Sequence, residues 1–594
     1  PFMADLGIPV GITTDATGAA RSARTPDIGA YEYDAPACTT PPLPGTPNTT
    51  ASPVCAGATF TLSLTGGSAG GGQTFRWESS ASPTGPFTPI GTAQSTPYLE
   101  LTATTTQYYR CAVTCSGNTQ YSAAIQVVVT PRLGGGTYTI NAAQPTNGTN
   151  FASFTDAVAA LTCGITGPVV FNVAPNSGPY TEQIIIPEIP GASAVNTITF
   201  NGNGNTIQFS SGNSTERAVI KLNGADHITF DSLVVDASTG TYGFGIQLIN
   251  NADSNTIRRC MINTGISNTS SNFAGIVISA SPSSATGTGS TLCDGNTIID
   301  NTVTGGYYGI TLVGSSTSFM YNNKVVNNIV TDFYSYGIYL VGQVNVLVEH
   351  NDISRPQRTS FTTFYGIYVG TAGESMLISK NKIHNPFDGG TSSTSTFYGI
   401  YFSGCDANAA TPNIVSNNLI YNANGEGDEF GLYNSSSDNV KYYHNTISLD
   451  NQSSNHSDFW WTRGIFQSGD AVGLEYMNNM VTVTRTGAGD HHAMYMASAG
   501  TQYTADYNNY HVVGVQGATF IGFANGGDIV TFGDWQIATG KDGSSLNYNP
   551  EYADPSIADY RPTNPFLHDM GTPVGITTDI TDAARSATKP DIGA

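Results

Sequence analysis

The sequence predicts an all-β protein built around a parallel β-helix, and three observations predict it. A motif of the form aromatic-Gly-Ile-x-hydrophobic recurs every 28 to 34 residues. A second motif, an asparagine followed two places later by a hydrophobic or β-branched residue, recurs between copies of the first. The segments that join them are too short for helices and alternate in hydrophobicity with period two. Self-similarity at this period is typical of one supersecondary unit stacked many times.

The first motif marks one strand in each turn of the stack. Its copies carry glycine at positions 245, 275, 309, 337, 366, 399, 431 and 464, and alanine at 493. Two or three such strands per turn, each pairing with the next turn about 4.8 Å away, describe a parallel β-helix. The irregular turn length disfavours a leucine-rich repeat, which keeps its length more strictly.

The second motif predicts a ladder of amides inside one corner of the stack. A buried amide costs free energy unless it is hydrogen-bonded, and the identical amide one turn away can supply the partner. The predicted ladder residues are Asn301, Asn328, Asn351, Asn381, Asn418, Asn445, Asn479 and Asn509. Cys260 holds the matching position in the first turn.

The start of the stack is predicted to carry a capping helix over residues 153–161. Ser153 can cap it, and Phe154, Ala157, Val158 and Leu161 fall on one apolar face. Such a helix would cover the unpaired edge of the first turn. Strands after this helix, added to the turns that carry the motifs, predict about twelve turns, or roughly 55–60 Å of stack.

Composition excludes several classes of partner. Charged residues make up 11% of the chain, and its net charge is −22. We therefore expect no binding to nucleic acid or to anionic membranes. No apolar run reaches the length of about 20 residues that a membrane helix needs, and the first residues show no export signal. Of the eight cysteines, four fall within residues 38–115, which favours an oxidising exterior.

The two ends of the chain are copies of each other. Residues 1–30 align without a gap to residues 565–594, and 22 of the 30 positions are identical, at an offset of 564 residues. We interpret the chain as one period of a longer tandem array, with residues 1–33 forming the terminal segment of a preceding β-helix. The alternative is a pair of caps that converged on one sequence.

The remaining boundaries follow from composition. Residues 34–45 and 132–150 are predicted linkers, the first of them rich in proline. Residues 46–131 are predicted to form a β-sandwich, and residues 151–594 the β-helix, with a terminal segment over 520–594 in which the period fades.

The predicted sandwich resembles immunoglobulin-like domains. Trp77 lies on a central strand, and a tyrosine stands two residues before Cys111. Cys38, Cys55, Cys111 and Cys115 allow three disulfide pairings. Cys55 precedes the strand that would normally hold it, which disfavours a core bridge from Cys55 to Cys111.

The whole chain resembles a known family. The segment Ser-Phe-Thr-Asp-Ala-Val-Ala-Ala-Leu at 153–161, the strand at 167–173 and the closing Pro-Asp-Ile-Gly-Ala are similar to right-handed parallel β-helix proteins of Bacteroidota. This resemblance implies a giant, repetitive protein of the extracellular bacterial surface, exported by the type IX system and acting as an adhesin or as a filament used in gliding. Its partners would be neighbouring repeats of the same chain or fibre, with surface glycans as a further candidate, and without direct insertion into a membrane.

Parallel β-helices also carry polysaccharide lyases and glycosidases, whose sites need paired acids on neighbouring turns. The outward position after each ladder asparagine reads Thr302, Ile329, Asp352, Lys382, Leu419, Thr446, Met480 and Tyr510, with no recurring acid pair. An acidic spot at 426–429 is interpreted as a solvated turn. Asp490-His491-His492 and His456-Ser457-Asp458 could bind metal, but each lacks a third ligand at a suitable spacing. We therefore expect no enzyme activity, no catalytic residue, no metal and no cofactor.

A column of aromatic residues is the candidate binding site. In the glycine motif, the residue after isoleucine should point outward. These residues are Tyr339, Tyr368, Tyr401, Tyr433, Phe466 and Tyr495, and Trp460 and Trp461 lie in a turn near them. The column either stabilises the sheet surface or binds a glycan.

The sequence leaves two candidate functions. The first is a structural repeat unit of an extracellular filament or adhesin. The alternative is a glycan-binding or polysaccharide-processing β-helix, which a cluster of acids in a groove would favour.

Overall fold

The computed structural model describes residues 7–24, 26–32, 36–452, 454–455, 459–514 and 517–594. The chain divides into two compact units, residues 1–133 and 134–594. Parts of the predicted first segment (residues 1–6, 25 and 33) and of the predicted first linker (34–35) lie outside the described residues, as do His456 and Asp458 of the metal candidate.

The first unit contains a β-sandwich between Thr46 and Thr130. Its buried residues come from facing sheets, with Phe60 and Leu62 on one side and Phe75, Trp77 and Val113 on the other. The strands of its three sheets are Thr46–Thr49, Thr59–Thr65 and Leu99–Thr102; Val54–Cys55 and Val129–Thr130; and Thr74–Ser80, Thr88–Pro89, Gln107–Cys115, Asn118–Tyr121 and Ile125–Val127.

The cysteines of the first unit do not form the bridge through the core. Cys38 and Cys115 form a disulfide, whereas Cys111 is a buried free thiol. Burial raises the pKa of the Cys111 thiol to about 12, so this thiol is protonated and unreactive at neutral pH.

The second unit is the predicted right-handed parallel β-helix, and this prediction is confirmed. Three parallel sheets of 14, 12 and 13 strands run along it. Each full turn visits them in the order sheet A, sheet B, sheet C. Because the strands of each sheet pair with their counterparts one turn away, core side chains line up in columns, such as that of Phe171, Phe200 and Phe230.

Sheet A comprises Asn150–Phe151, Gly136–Ile140, Val169–Val173, Ile198–Asn201, Ile228–Asp231, Thr256–Arg258, Thr297–Ile299, Lys324–Val326, Leu347–Glu349, Leu377–Ser379, Asn413–Ser416, Val440–Tyr443, Leu474–Met477 and Tyr503–Asp506. Sheet B comprises Tyr180–Thr181, Thr206–Gln208, Val234–Asp236, Met261–Asn263, Thr302–Thr304, Ile329–Thr331, Asp352–Ser354, Lys382–His384, Leu419–Tyr421, Thr446–Leu449, Met480–Val483 and Asn509–Val512.

Sheet C comprises Ile184–Pro187, Ala218–Asn223, Gly243–Ile249, Phe273–Ile278, Tyr308–Val313, Tyr336–Val341, Phe364–Gly370, Phe397–Ser403, Glu429–Ser435, Thr462–Gln467, His491–Met496, Thr519–Ala524 and the antiparallel Gly527–Ile529. A short fourth sheet joins Met320–Tyr321, Gln343–Val344 and Gly373–Glu374. The strands at Gly136–Ile140 and Asn150–Phe151 correct the predicted linker over 132–150, which instead starts sheet A.

The two ends of the β-helix are covered by short helices. Helix α1 (Phe154–Leu161) begins after Ser153, whose hydroxyl accepts a hydrogen bond from the Asp156 amide, and its Phe154 ring packs on Tyr180. Helix α2 (Phe532–Thr539) was not predicted from the sequence; its Trp535 is fully buried against Gly522 of the last turn.

After helix α2 the chain runs back along the outside of sheet B. It forms a hairpin of Tyr552–Asp554 and Asp559–Pro562, with the short 3-10 helix Pro555–Ile557 between the strands and a second, Pro565–Leu567, after them. Tyr560 packs against Leu419 and Tyr421, and Leu567 packs against Met480. The last part, residues 571–594, is named the strap.

Candidate functional site

The corner between sheets A and B holds the amide ladder. In each turn, the carboxamide oxygen accepts hydrogen bonds from the backbone N–H and the side-chain amide of the preceding ladder residue; from Asn351 to Asn381, for example, these bonds are 3.0 and 2.9 Å long. The second N–H of Asn381 donates to the Val348 carbonyl, 2.9 Å away. Every polar group of the ladder is therefore satisfied although it is buried.

The last predicted ladder residue is wrong by one position. Asn479 donates to the carboxamide oxygen of Asn508, not of Asn509. Asn509 instead begins the sheet B strand, and its side chain bonds the Tyr548 backbone. Cys260 does stand at the first rung, where its N–H donates to Asn301. A second ladder, which was not predicted, precedes the sheet A strands and is formed by Asn255, Asn296 and Asn323.

The residue before each ladder asparagine points outward from the same corner. These residues have left-handed backbones, with φ between 54° and 60°, a conformation that favours asparagine among non-glycine residues. Those under the strap form a line of polar side chains, named the turn column: Asn327, His350, Lys380, Asn417, His444 and Asn478.

The strap lies along the turn column. At one end Asn478 donates to the Thr572 carbonyl (2.8 Å) and accepts from its N–H (2.9 Å). In the middle, Asn417 donates to the Thr578 carbonyl (2.9 Å) and accepts from the Arg585 guanidinium (2.7 Å). Farther along the turn column, Asp582 forms an ion pair with Lys380, and its Oδ2 lies 3.3 Å from His350 Nε2.

A cavity of about 530 Å³ separates the outer face of sheet B from the hairpin and the strap. This cavity is named the groove. Charged side chains line it from both sides: Asp352, Lys380 and Lys382 from the β-helix, and Asp559 and Arg561 from the hairpin. His350 also lines it. Its volume is in the range of sites that hold a small ligand or a few sugar rings.

One carboxylate of the groove forms an acid–base pair. Asp352 Oδ1 lies 3.0 Å from His384 Nε2, and the other imidazole nitrogen lies 2.5 Å from the Asn385 carboxamide oxygen. The His384 ring stacks on Tyr421, with centroids 4.7 Å apart. The imidazole is thus fixed in position, and Asp352, with 43% of its side chain exposed, faces the groove.

Most of this groove could not be predicted from the sequence. Asp352 and Lys382 appeared as outward positions in successive turns, but Asp559 and Arg561 come from a segment roughly two hundred residues later. A signal did exist in the turn column, because three of its residues, His350, Lys380 and His444, interrupt a row of asparagines.

The predicted aromatic stripe forms a continuous stack on sheet C. Tyr339, Tyr368, Tyr401 and Tyr433 stack nearly parallel, with neighbouring centroids 4.8, 5.4 and 4.4 Å apart. Phe466 and Tyr495 continue the column at tilted angles.

A second aromatic column runs beside the stripe, and its ring planes are nearly perpendicular to those of the stripe. Its members are Tyr336, Tyr365, Tyr398 and Phe430. Neighbouring rings cover each other's faces. A ligand on the stripe would therefore meet ring edges and hydroxyl groups.

Of the two tryptophans, Trp461 is connected to the stripe through one arginine. Arg463 is buried, with its guanidinium 4.1 Å from the Trp461 ring and 3.7 Å from the Tyr495 ring. Trp461 is 42% exposed and Trp460 is half-buried. Cation–π contact with Arg463 accounts for the position of Trp461.

The acidic spot at 426–429 is not the solvated turn that we expected. Glu429 begins a sheet C strand and is buried, with its Oε1 3.2 Å from the Nε of the equally buried Arg485. Burial raises the pKa of Glu429 to about 8. His492 of the other candidate contacts Asp528 at 2.9 Å, and burial lowers the pKa of His492 to about 4.

Comparisons with known proteins match parts of the chain. Residues 248–473 match a family described as periplasmic copper-binding protein (NosD), and residues 44–131 match a domain of unknown function (DUF8696). A search of curated proteins finds no match. Among the described residues, no helix is long and apolar enough to cross a membrane.

Three solved structures similar to the chain illustrate the fold. The periplasmic alginate epimerase AlgG is 12% identical, with 66% of this chain and 81% of that chain covered and a TM-score of 0.32. DFA-IIIase from Arthrobacter chlorophenolicus A6 in complex with GF2 is 11% identical, with 66% of this chain and 87% of that chain covered and a TM-score of 0.28. The Yersinia enterocolitica Family 28 exopolygalacturonase is 8% identical, with 84% of this chain and 100% of that chain covered and a TM-score of 0.25.

These comparisons correct one expectation. We expected no enzyme activity, but the three similar structures are carbohydrate-active enzymes. At such low identity, these similarities concern the fold alone and do not assign a function to this chain.

The copper in the family description does not fit the residues present. Across the described part of residues 248–473, no three histidine, cysteine or acidic side chains come within ligand distance of one another. The cysteines of this segment, Cys260, Cys293 and Cys405, are buried in separate turns as protonated thiols, since burial raises the pKa of each. No step is therefore assigned to copper.

Proposed function

We propose that this β-helix binds and processes a polysaccharide in the groove. The observation that carries the proposal is the concentration of charge there, in a chain with only 11% charged residues. Side chains from consecutive turns of the stack lie about 4.8 Å apart, close to the length of a sugar ring. A saccharide lying along sheet B would thus meet one turn for each sugar unit.

Recognition would rest on Lys382 and Arg561. Lys382 is exposed in the groove and, within the described part of the chain, forms no ion pair. Arg561 is held by a two-pronged ion pair with Asp559. A free ammonium group beside a guanidinium favours a substrate that carries carboxylate or sulfate groups.

The chemistry would rest on Asp352 and His384. A carboxylate in contact with an imidazole can accept a proton from a sugar carbon or hydroxyl group, or return one to a glycosidic oxygen. Lys380 and Lys382, on the neighbouring turn, would stabilise negative charge that develops on the sugar during proton transfer.

The test uses the full chain and a panel of acidic and neutral polysaccharides. Binding is measured by affinity electrophoresis. Reducing ends, unsaturated products and the sugar-ring NMR spectrum distinguish hydrolysis, elimination and epimerisation. We expect Asp352→Asn to lower activity about 100-fold or more, the range for loss of an acid–base group.

The matched control is Asp236→Asn, which alters an outward carboxylate of sheet B away from the groove. Equal loss of activity in both variants, or no binding of any polysaccharide by the unaltered chain, would overturn the proposal.

A second function, a repeat unit of a surface filament or adhesin, is favoured by a separate observation. The internal hydrogen bonds of residues 7–30 recur in the strap at the 564-residue offset, as in Gly7 N–H to Pro26 O and Gly571 N–H to Pro590 O. Duplication of a folded segment supports a tandem array of a bacterial cell-surface protein, of the Bacteroidota type that the sequence resembles. Electron microscopy of the native material should show a periodic fibre; isolated single particles would contradict this function.

A further inference from the structure

We infer that residues 7–32 are a docking segment that binds the turn column of a second copy of this β-helix. The strap shows the complex already formed, within one chain. The inference rests on the repeat-unit proposal only for the source of the second β-helix, and it does not depend on the polysaccharide groove.

The docking segment has the same internal structure as the strap. Arg21 donates to the carbonyls of Gly29 (2.7 Å) and Asp27 (3.2 Å), and Arg585 donates to those of Gly593 (2.6 Å) and Asp591 (3.2 Å).

The backbone bridge of Thr14 with Ala20 likewise corresponds to that of Thr578 with Ala584. The segment is thus preformed, so docking would cost little conformational entropy.

Exposure distinguishes the two copies. Ile592 of the strap is 2% exposed, because it packs against Met480 and Leu567, whereas the equivalent Ile28 is 56% exposed. Val10 and Ile12 are 77% and 66% exposed, although their strap equivalents are half-buried. The docking segment therefore presents the apolar side chains that the strap buries, and burying them supplies a driving force.

The polar contacts of the strap can also be reproduced. Asn417 of the turn column bonds the Thr578 carbonyl and the Arg585 guanidinium, and Thr14 and Arg21 hold the corresponding positions in the docking segment. One contact is lost, since Gly18 replaces Asp582, the partner of Lys380 and His350. Docking in trans is therefore weaker than the strap and requires that the strap be displaced.

The experiment releases the strap in the full chain. Arg585→Ala with Ile592→Asp removes its central hydrogen bond and its apolar anchor. We expect the unaltered chain to be monomeric, and the strap-released chain to form dimers and larger head-to-tail species, because a heterologous contact leaves a docking segment and a turn column free at opposite ends of each dimer. Light scattering after size exclusion should show at least a doubling of apparent mass that increases with concentration.

The matched control adds Arg21→Ala and Ile28→Asp to the strap-released chain, and it should return to the monomer mass. Gly18→Asp in the strap-released chain should tighten the association, since Asp582 already occupies the same left-handed backbone conformation.

A folded strap-released chain that stays monomeric, or association that survives in the control, would overturn the inference. If the double substitution prevents folding, Arg585→Ala alone carries the same comparison. Oligomers without any polysaccharide activity would support this inference and contradict the groove proposal. Activity without oligomers would do the opposite. If the strap-released chain forms oligomers but the native material shows isolated particles, this inference holds and the repeat-unit proposal does not.

Discussion

At the scale of single residues, the ladder asparagines decide the register of the β-helix. Each turn differs in length, yet the same carboxamide returns to the same corner. Asn381 illustrates the arrangement, because its oxygen receives two donors from Asn351 while its nitrogen donates to Val348 and Asn418. A turn out of register would bury several unsatisfied polar groups at once.

Asn381→Ala should therefore lower stability by about 1–3 kcal/mol, the cost of leaving buried hydrogen-bonding groups without partners. Thermal unfolding and hydrogen exchange of the flanking turns measure the loss. Asn263→Ala, on the outer face of sheet B, is the control. Its side chain bonds Gly265 and Asp236 at the partly exposed surface, so its loss should lower stability less than that of Asn381. Equal effects in the two variants would show that the ladder does not stabilise the stack.

At the scale of elements, the glycine motif explains how sheet C joins the stack. A Cβ at Gly366 would lie 2.6 Å from the Gly399 carbonyl oxygen and 2.6 Å from the Ile383 side chain. Glycine therefore lets the strand approach the core closely, and the aromatic residues on either side of the motif are brought into register as two columns on the outer face.

Tyr368→Ala should lower stability, because each stacked pair contributes about 0.5–1.5 kcal/mol beyond its buried area and this residue has stacked neighbours on both sides. The double variant with Tyr401→Ala should be less stable still. Glycan binding is measured in parallel. Loss of binding at unchanged stability would instead identify the stripe as the binding surface.

The sequence predicts those elements whose signal repeats, and it misses those that occur once. Sheet C and the ladder could be found because a glycine or an asparagine returns in every turn. Helix α2 could not be found, since only Trp535 is buried and no apolar stripe marks it. Asn508 and Asn509 are adjacent and equivalent in sequence. Only the structure distinguishes them, since Asn508 accepts from Asn479 whereas Asn509 bonds Tyr548.

At the scale of the whole molecule, the strap ties the end of the chain to the middle of the β-helix. Its contacts join residues that are 94 to 202 positions apart in the sequence. No periodic motif marks these contacts, so the groove could not be predicted. Beneath it lies His444, a member of the turn column. Its imidazole is buried, accepts from the Asn478 side chain at 3.0 Å and faces Arg585.

Acid should therefore loosen the strap. Burial, with a smaller contribution from the Arg585 charge, lowers the pKa of His444 from 6.5 to about 3. The folded state holds the neutral imidazole, so its stability is complete above pH 6.5 and falls as the pH drops from 6.5 toward 3, by up to about 1.4 kcal/mol per pH unit. Hydrogen exchange of residues 571–594 at pH 7 and pH 5 measures the effect.

His444→Asn keeps a residue suited to the left-handed turn and removes the titrating group. The strap of this variant should exchange at pH 5 as slowly as at pH 7, once the intrinsic pH dependence of exchange is corrected. If both proteins loosen equally, the acid response does not come from the buried histidine. The ion pair of Asp582 with Lys380 does not supply it either, because Lys380 lowers the pKa of that carboxyl and keeps it ionised at pH 5. If only the unaltered chain loosens, protonation of His444 beside Arg585 releases the strap. Acid should then weaken docking in trans as well, because Arg21 would take the place of Arg585 beside the same imidazole.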